Sequence, residues 1–304
     1  MDRLNKHVKL LACQSQLAVS KLSNRLEEKS EQGILSLFGI IKTSLSRLVE
    51  GYPSTNFLRG LLMSLLTVVY AVLFYVATAI LVVGVAYKIY IYSRTPAPLK
   101  IPTTPAPTTQ SGVVFRMARE VVLFESLFKS NKWIWVFGWM FHFGLLLVLL
   151  RHLRYFTEPV WSWVGLVQPF GLYAGFAMVA GLAGLWARRF LVERIRYIST
   201  PSDHLMLALL ILIGASGLLM KFVAHTDIVG LKTFILGLMY FDWQPIPADP
   251  ILLVHLSLVA TLMMIFPISK LLHAPGVFFS PSRNQADNSR DKRHISAWAA
   301  ELEK

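Results

Sequence analysis

Five long stretches almost free of charge dominate this 304-residue chain and confine it to folds that can live in a lipid bilayer. They run from Gly60 to about Ala86, Trp133 to about Leu153, Val164 to Trp186, Ser202 to Met220 and Ile251 to about Leu272. An apolar run of ~18 residues or more crosses the hydrocarbon core as a helix. Inside lipid every backbone N–H and C=O must be satisfied within the segment, which a helix does by itself. The expected fold is therefore an all-α membrane protein, a five-span helix bundle. Composition agrees: only 15% of residues are charged, where a soluble domain has ~25%.

The spans divide the chain. Residues 1–58 form a basic, apolar N-terminal region in which Ile34, Leu37, Ile41, Leu45 and Leu48 have the spacing of an amphipathic interfacial helix. No cleavable signal peptide is visible in it. Residues 59–94 carry the first span, ending on an aromatic and basic belt, Tyr87 to Tyr92. Residues 95–132 are a linker, Pro- and Thr-rich at first and so expected to be extended, then an amphipathic surface helix over Val113–Ser130. Residues 133–275 hold the other four spans, the fourth expected to start at a Ser202-Asp203 cap and to be followed by a long loop with Trp243 and several prolines. Residues 276–304 are a polar tail, expected to be mobile from Ser280 apart from a short helical end.

The net charge of +13 lies in these loops and tails. Topology and anionic lipid account for it, and no nucleic-acid partner is expected. Arg94, Lys100, Arg116, Arg119, Lys129 and Lys132 precede the second span; Arg188, Arg189, Arg194 and Arg196 follow the third; Arg283, Arg290, Lys292, Arg293 and Lys304 follow the fifth. All three groups fall on one face, which the positive-inside rule assigns to the cytoplasm, C-terminus included. Lys6, Lys9, Lys42, Arg47 and Arg59 dissent, because the N-terminal region then lies outside. The expected location is a bacterial or archaeal cytoplasmic (inner) membrane.

Histidines carry the chemistry. His142 and His152 lie on the second span, His255 and His273 on the fifth. The two helices are antiparallel, so His142 faces His273 near the basic face and His152 faces His255 near the other. Inward-facing imidazoles from two helices are what stacked b-type haems require. Ten residues of helix rise ~15 Å, room for two macrocycles, but eighteen rise ~27 Å. Tilt, ring reach and a kink at Pro267 must absorb that difference. An ionisable residue inside a span is expensive and reads as functional; hydrogen-bonded packing is the plain alternative. The single cysteine, Cys13, rules out a disulfide within the chain, a cysteine-ligated iron–sulfur cluster and a thioether-linked haem. His204 and His225, at the ends of the fourth span, read as interfacial, and His7 and His294 as surface residues. Gly138, Gly144, Gly171, Gly175, Gly181, Gly184, Gly214 and Gly217 serve helix contact or make room for a macrocycle; the sequence leaves both open.

At these residues the chain resembles a known family. Phe141-His142, His152 ten residues on, His255, and Phe266-Pro267-Ile268-Ser269-Lys270-Leu271-Leu272-His273 are similar to the gamma subunits of respiratory nitrate reductases. The resemblance covers roughly 133–275. Lys132 to Trp161 and Ser202 to Phe222 look closer to DsrM-type membrane subunits of DsrMKJOP complexes, a branch tied to dissimilatory sulfur metabolism. The resemblance implies a di-haem b subunit with the same histidine pairing, quinone exchanged near the haem farther from the basic face, a cytoplasmic iron–sulfur partner, and further membrane and periplasmic subunits. Arg151 stands where the nitrate reductase subunit has glycine, and no lysine matches its quinol-site lysine, so quinone-site residues do not transfer. A wet, polar pocket is expected instead among His152, Arg151 and Tyr155, with Lys221 or His225 beyond them. Arg151 and Arg154 read equally as contacts to haem propionates or quinone and as snorkelling anchors. A transporter or a plain membrane anchor is the rival class. A transporter would show an internal repeat or paired broken spans, and an anchor has no use for histidines paired by depth.

Overall fold

The structure, a computed structural model, describes residues 53–96, 102, 104–288, 295 and 297–302. The amphipathic helix expected over 33–48, Cys13, His7 and His294 lie outside the described residues. Those described contain α1 (Pro53–Arg94), α2 (Gln110–Leu123), α3 (Glu125–Ser130), α4 (Lys132–His152), α5 (Ser162–Leu191), α6 (Glu193–Ile198), α7 (Pro201–Leu219), α8 (Ile228–Tyr240) and α9 (Pro250–Ile265), followed by short turns and a last helix, α10 (Ala297–Leu302), the short helical end expected of the tail. Five segments are long and apolar enough to cross a membrane: Gly60–Arg94, Lys132–Tyr155, Ser162–Leu191, Pro201–Ala224 and Pro250–Ile268. Up to Ser64 the described part is the first turns of α1; every contact below lies within the unit Leu65–Lys304.

The spans α4, α5, α7 and α9 pack in chain order, each on the next, and α4 packs most extensively on α5. Glycine makes that approach possible. A Cβ at Gly144 would lie 2.9 Å from the Ala174 carbonyl oxygen, and one at Gly171 or Gly181 would lie 2.8 Å from that of Leu147 or Phe137. At these positions helix contact is the use the structure makes of glycine. The ends of this row, α4 and α9, carry His142, His152 and His255 and make no extended contact with each other.

The connection between the fourth and fifth spans is more ordered than its prolines suggest. Asp227 caps α8 by accepting from the Val229 and Gly230 amides. Thirteen residues cannot cross a bilayer, and α8 instead buries Leu231 and Phe234 with Tyr70, Ile246, Leu252 and Leu256. The Tyr70 hydroxyl donates to the Leu253 carbonyl at 2.9 Å and meets Ser257 Oγ at 2.8 Å, which ties α1 to α9. Trp243 Nε1 donates to the Tyr75 hydroxyl at 3.1 Å.

Three local expectations change. The cap of the fourth span lies two residues before Ser202: Thr200 is the N-cap, Pro201 occupies the first turn, and Asp203 is the reciprocal partner of a capping box. The surface helix is two helices, broken at Phe124, whose φ of 50° is left-handed. The freed Leu123 carbonyl accepts from Trp135 Nε1 at 2.7 Å, and the Ser126 amide donates to Glu120 at 3.2 Å, so the break leaves neither group orphaned. The tail is pinned as far as Asp287. Arg283 pairs with Glu120 at 2.6 Å and donates to Ser126 at 2.8 Å, and the Asp287 amide donates to the Pro107 carbonyl at 2.9 Å. A polar sequence there reads as solvated only until a partly buried carboxylate, Glu120, is found beneath it.

Candidate functional site

Helix α9 runs regularly to Ile265 and then stops, because Pro267 has no N–H to continue the ladder. Two short 3₁₀ turns, Phe266–Ile268 and Lys270–Leu272, flank an extended Ser269 (φ −100°, ψ 170°). Ser269 Oγ accepts from the Leu271 amide at 3.2 Å and restarts the chain. The eighteen residues between His255 and His273 are therefore not one helix, and the apparent ~27 Å rise for an unbroken helix does not arise. This strap brings His273 to His142: the two ring centres are 6.1 Å apart and the planes 83° from parallel. An imidazole nitrogen binds a first-row metal at about 2 Å, and adding ~1 Å from nitrogen to ring centre on each side gives about 6 Å across one ion. The spacing fits two imidazoles on opposite sides of one iron.

Proton placement decides which ring nitrogen is available. Nδ1 of His142 bonds the Gly138 carbonyl at 2.7 Å, Nδ1 of His152 the Val148 carbonyl at 2.6 Å, and Nδ1 of His273 the Lys270 carbonyl at 2.8 Å. A carbonyl only accepts, so each Nδ1 carries the proton and each Nε2 keeps its lone pair. Nδ1 of His255 meets Ser216 Oγ at 2.9 Å. That hydroxyl has its own acceptors one turn back, the Leu212 and Ile213 carbonyls at 2.7 and 3.0 Å. Its oxygen therefore accepts from His255, and the same tautomer follows. A second partner that orients the imidazole is the habit of metal-binding histidines.

Of the remaining described histidines, His204 differs in tautomer and His225 in placement. Trp186 Nε1 donates to Nδ1 of His204 at 3.0 Å, so a neutral His204 carries its proton on Nε2 and offers no lone pair there. His225 is exposed, in a left-handed turn after a π-helical turn, Met220–Ala224, with Nδ1 against the Val223 carbonyl at 3.1 Å. No group of three or more His, Cys, Asp or Glu placed to cage a metal ion occurs among the described residues.

Around the basic-face pair, aromatic rings pack on His142: Phe141 at 4.7 Å and Phe124 at 5.0 Å between centres. Phe124 reaches it because of the left-handed break between α2 and α3. At the opposite face His255 is 9% exposed. Gly217 faces it, and a Cβ there would lie 3.4 Å from His255 Cε1. Here glycine lies against a histidine ring rather than against a neighbouring helix backbone.

The residues expected to meet quinone divide. Tyr155 lies 5.8 Å from His152 ring to ring, and the Arg154 guanidinium stands over the Tyr155 ring, 5.5 Å from its centre. Arg151 donates to the Gln168 carbonyl at 2.8 Å while Gln168 Nε2 returns a bond to the Arg151 carbonyl at 3.2 Å, and Arg154 reaches Gln168 Oε1 at 3.3 Å. Arg151 is thus a tie between α4 and α5. Lys221 and His225 are exposed on the π-helical turn and the residue after it. Gln168 and Ser216, which sequence reasoning passed over, touch these groups directly; a glutamine and a serine within apolar spans were the available signal.

The segment that carries these residues is similar to known proteins. Residues 111–284 match the family described as nitrate reductase gamma subunit. The match is wider than 133–275 and takes in the surface helices and the strap. The chain is 37% identical to the Hdr-like menaquinol oxidoreductase cytochrome b-like subunit of Archaeoglobus fulgidus, across 74% of this chain and 81% of that protein. It is 34% identical to the protein of the same description from Archaeoglobus profundus, across 74% of this chain and 80% of that one.

Proposed function

This chain belongs to the nitrate reductase gamma subunit family, and from that membership we propose that it is the membrane cytochrome b subunit of a menaquinol oxidoreductase. It holds two b haems, one on His142 and His273, the other on His152 and His255. The observation that carries this reading is the common state of the four histidines: each Nδ1 is engaged, each Nε2 is free, and one pair stands 6.1 Å apart. When bound, the haems supply one-electron carriers at two depths of the bilayer.

The protein's own work is to fix the imidazoles, exclude water and accept quinol. Backbone carbonyls and Ser216 set ring orientation and raise the basicity of each Nε2. Menaquinol binds at the face opposite the basic loops, beside His152 and Tyr155, where Arg154 is within reach. A quinol that loses electrons must also lose protons, and the polar rim there leads to water. The basic face is cytoplasmic and receives an iron–sulfur subunit, since this chain has no cysteine set for a cluster of its own. Further membrane and periplasmic subunits complete that complex, which works in dissimilatory sulfur metabolism; the resemblance of the 132–161 and 202–222 stretches to DsrM-type subunits supports this part of the proposal.

A menaquinol analogue added to the purified protein in lipid nanodiscs tests the reading. The expected result is reduction of b-type absorption bands, slowed by Tyr155→Phe and by Arg154→Gln. A protein without a haem spectrum, or haems indifferent to quinol, contradicts it.

A further inference from the structure

We propose that Asp203, at the start of α7, is a positioning residue for His273, acting through Lys270; this rests on the haem reading above. Asp203 is 6% exposed, a carboxylate with little access to water. Its two oxygens have separate partners. Oδ2 accepts from the Thr200 amide and hydroxyl, both at 3.0 Å, and has Arg189 Nη1 at 3.5 Å. That oxygen caps α7. Oδ1 takes Lys270 Nζ at 2.5 Å, and Lys270 belongs to the strap.

The strap needs such an anchor because it is irregular. Between Ile265 and His273 no continuous helix fixes the chain, and His273 is exposed. Two contacts hold it. Pro267 is buried against α1, where a Cβ at Gly84 would lie 2.6 Å from Pro267 Cβ. Three residues on, Asp203 grips Lys270. The Lys270 carbonyl then accepts from Nδ1 of His273. One residue therefore does two jobs: its side chain ties the strap to α7, and its backbone orients the ligand. The lysine side chain is 73% exposed, but the carboxylate side chain it meets is only 4% exposed. Removing the lysine leaves Oδ1 of a buried carboxylate unpaired, so the pair is not an ordinary surface bridge.

Four variants separate this role from plain capping. Lys270→Met keeps the aliphatic stem and breaks the tie; Asp203→Asn weakens it. Thr200→Ala damages the cap and leaves Oδ1 alone, and Lys270→Arg restores a cation. In purified protein the midpoint potential and low-spin electron paramagnetic resonance signal of each haem are recorded. Hydrogen exchange across 268–276 is followed in parallel, a readout that needs no haem. The expected result is that Lys270→Met and Asp203→Asn shift the potential and signal of one haem and raise exchange in the strap. Lys270→Arg keeps wild-type values, and Thr200→Ala changes neither haem selectively. Unchanged strap exchange in Lys270→Met, or equal disturbance of both haems, overturns the proposal. A wild-type protein with no haem on His142 and His273 overturns the haem reading instead, while the exchange data still judge the tie.

Discussion

The two proposed histidine pairs draw on different kinds of structure. At the face away from the basic loops, His152 and His255 both sit on regular helices, and His255 is buried with its Nδ1 partner, Ser216, on a third. Nothing beyond packing three helices is needed to form that site. At the basic face only His142 is on a regular helix. His273 comes from a strap made by Pro267, capped by Ser269 and tied down from both sides. The first site depends on the bundle. The second depends on a few contacts outside it, at the surface where a partner subunit would dock, so it is the site that substitutions far from the histidines can disturb alone.

That asymmetry can be broken most forcefully at Pro267. In Pro267→Ala the helix is free to continue, carrying His273 away from His142 at ~1.5 Å per residue. The expected outcome is loss of one haem of the two, with the other haem's potential unchanged; haem extraction and redox titration read both. Loss of both haems would mean the pairs are not independent.

Ser216→Ala acts on the other site and more mildly. It removes the acceptor of the His255 Nδ1 proton without touching a ligand, and outer partners of metal-binding histidines are worth ~10-fold or more in affinity. We expect weaker retention and a shifted potential for one haem, the one that Pro267→Ala spares, read by competition with apomyoglobin and by redox titration. The smallest effect is expected at Gly217→Ala. Its Cβ would make an ordinary 3.4 Å contact with His255, and alanine is favoured over glycine in a helix interior by ~1 kcal/mol. Both haems stay, and the melting temperature is unchanged or slightly raised. Loss of a haem in this variant would show the space beside His255 to be tighter than the structure has it.

The spans were legible because lipid imposes one strong rule, apolar residues in long runs, and the four histidines carry the proposal because the same rule makes an ionisable group in a span conspicuous. The strap was half legible. Pro267 announced a break, but how Ser269 restarts the chain depends on side chain-to-backbone bonds that no periodicity encodes. Asp203 read as a helix cap and nothing more, because its second partner, Lys270, is 67 residues away. Helix α8 was hidden by its length: thirteen mostly apolar residues ahead of Pro245, Pro247 and Pro250 look like a loop until Tyr70, Phe234 and Leu252 are seen to share one core. Phe124 gave no signal at all, since a bulky residue is a poor guess for a left-handed turn. It is tolerated where Trp135 and Glu120 take up the freed backbone groups.

The central claim is that two haems are held by two independent histidine pairs. The direct measurement is haem per chain, by pyridine haemochrome assay, in the wild type, the four single His→Ala variants, and the doubles His142→Ala/His273→Ala and His142→Ala/His255→Ala. The account predicts two haems in the wild type, one in every single variant and in the first double, and none in the second double. A wild type with one haem, or a first double that loses both, would contradict it.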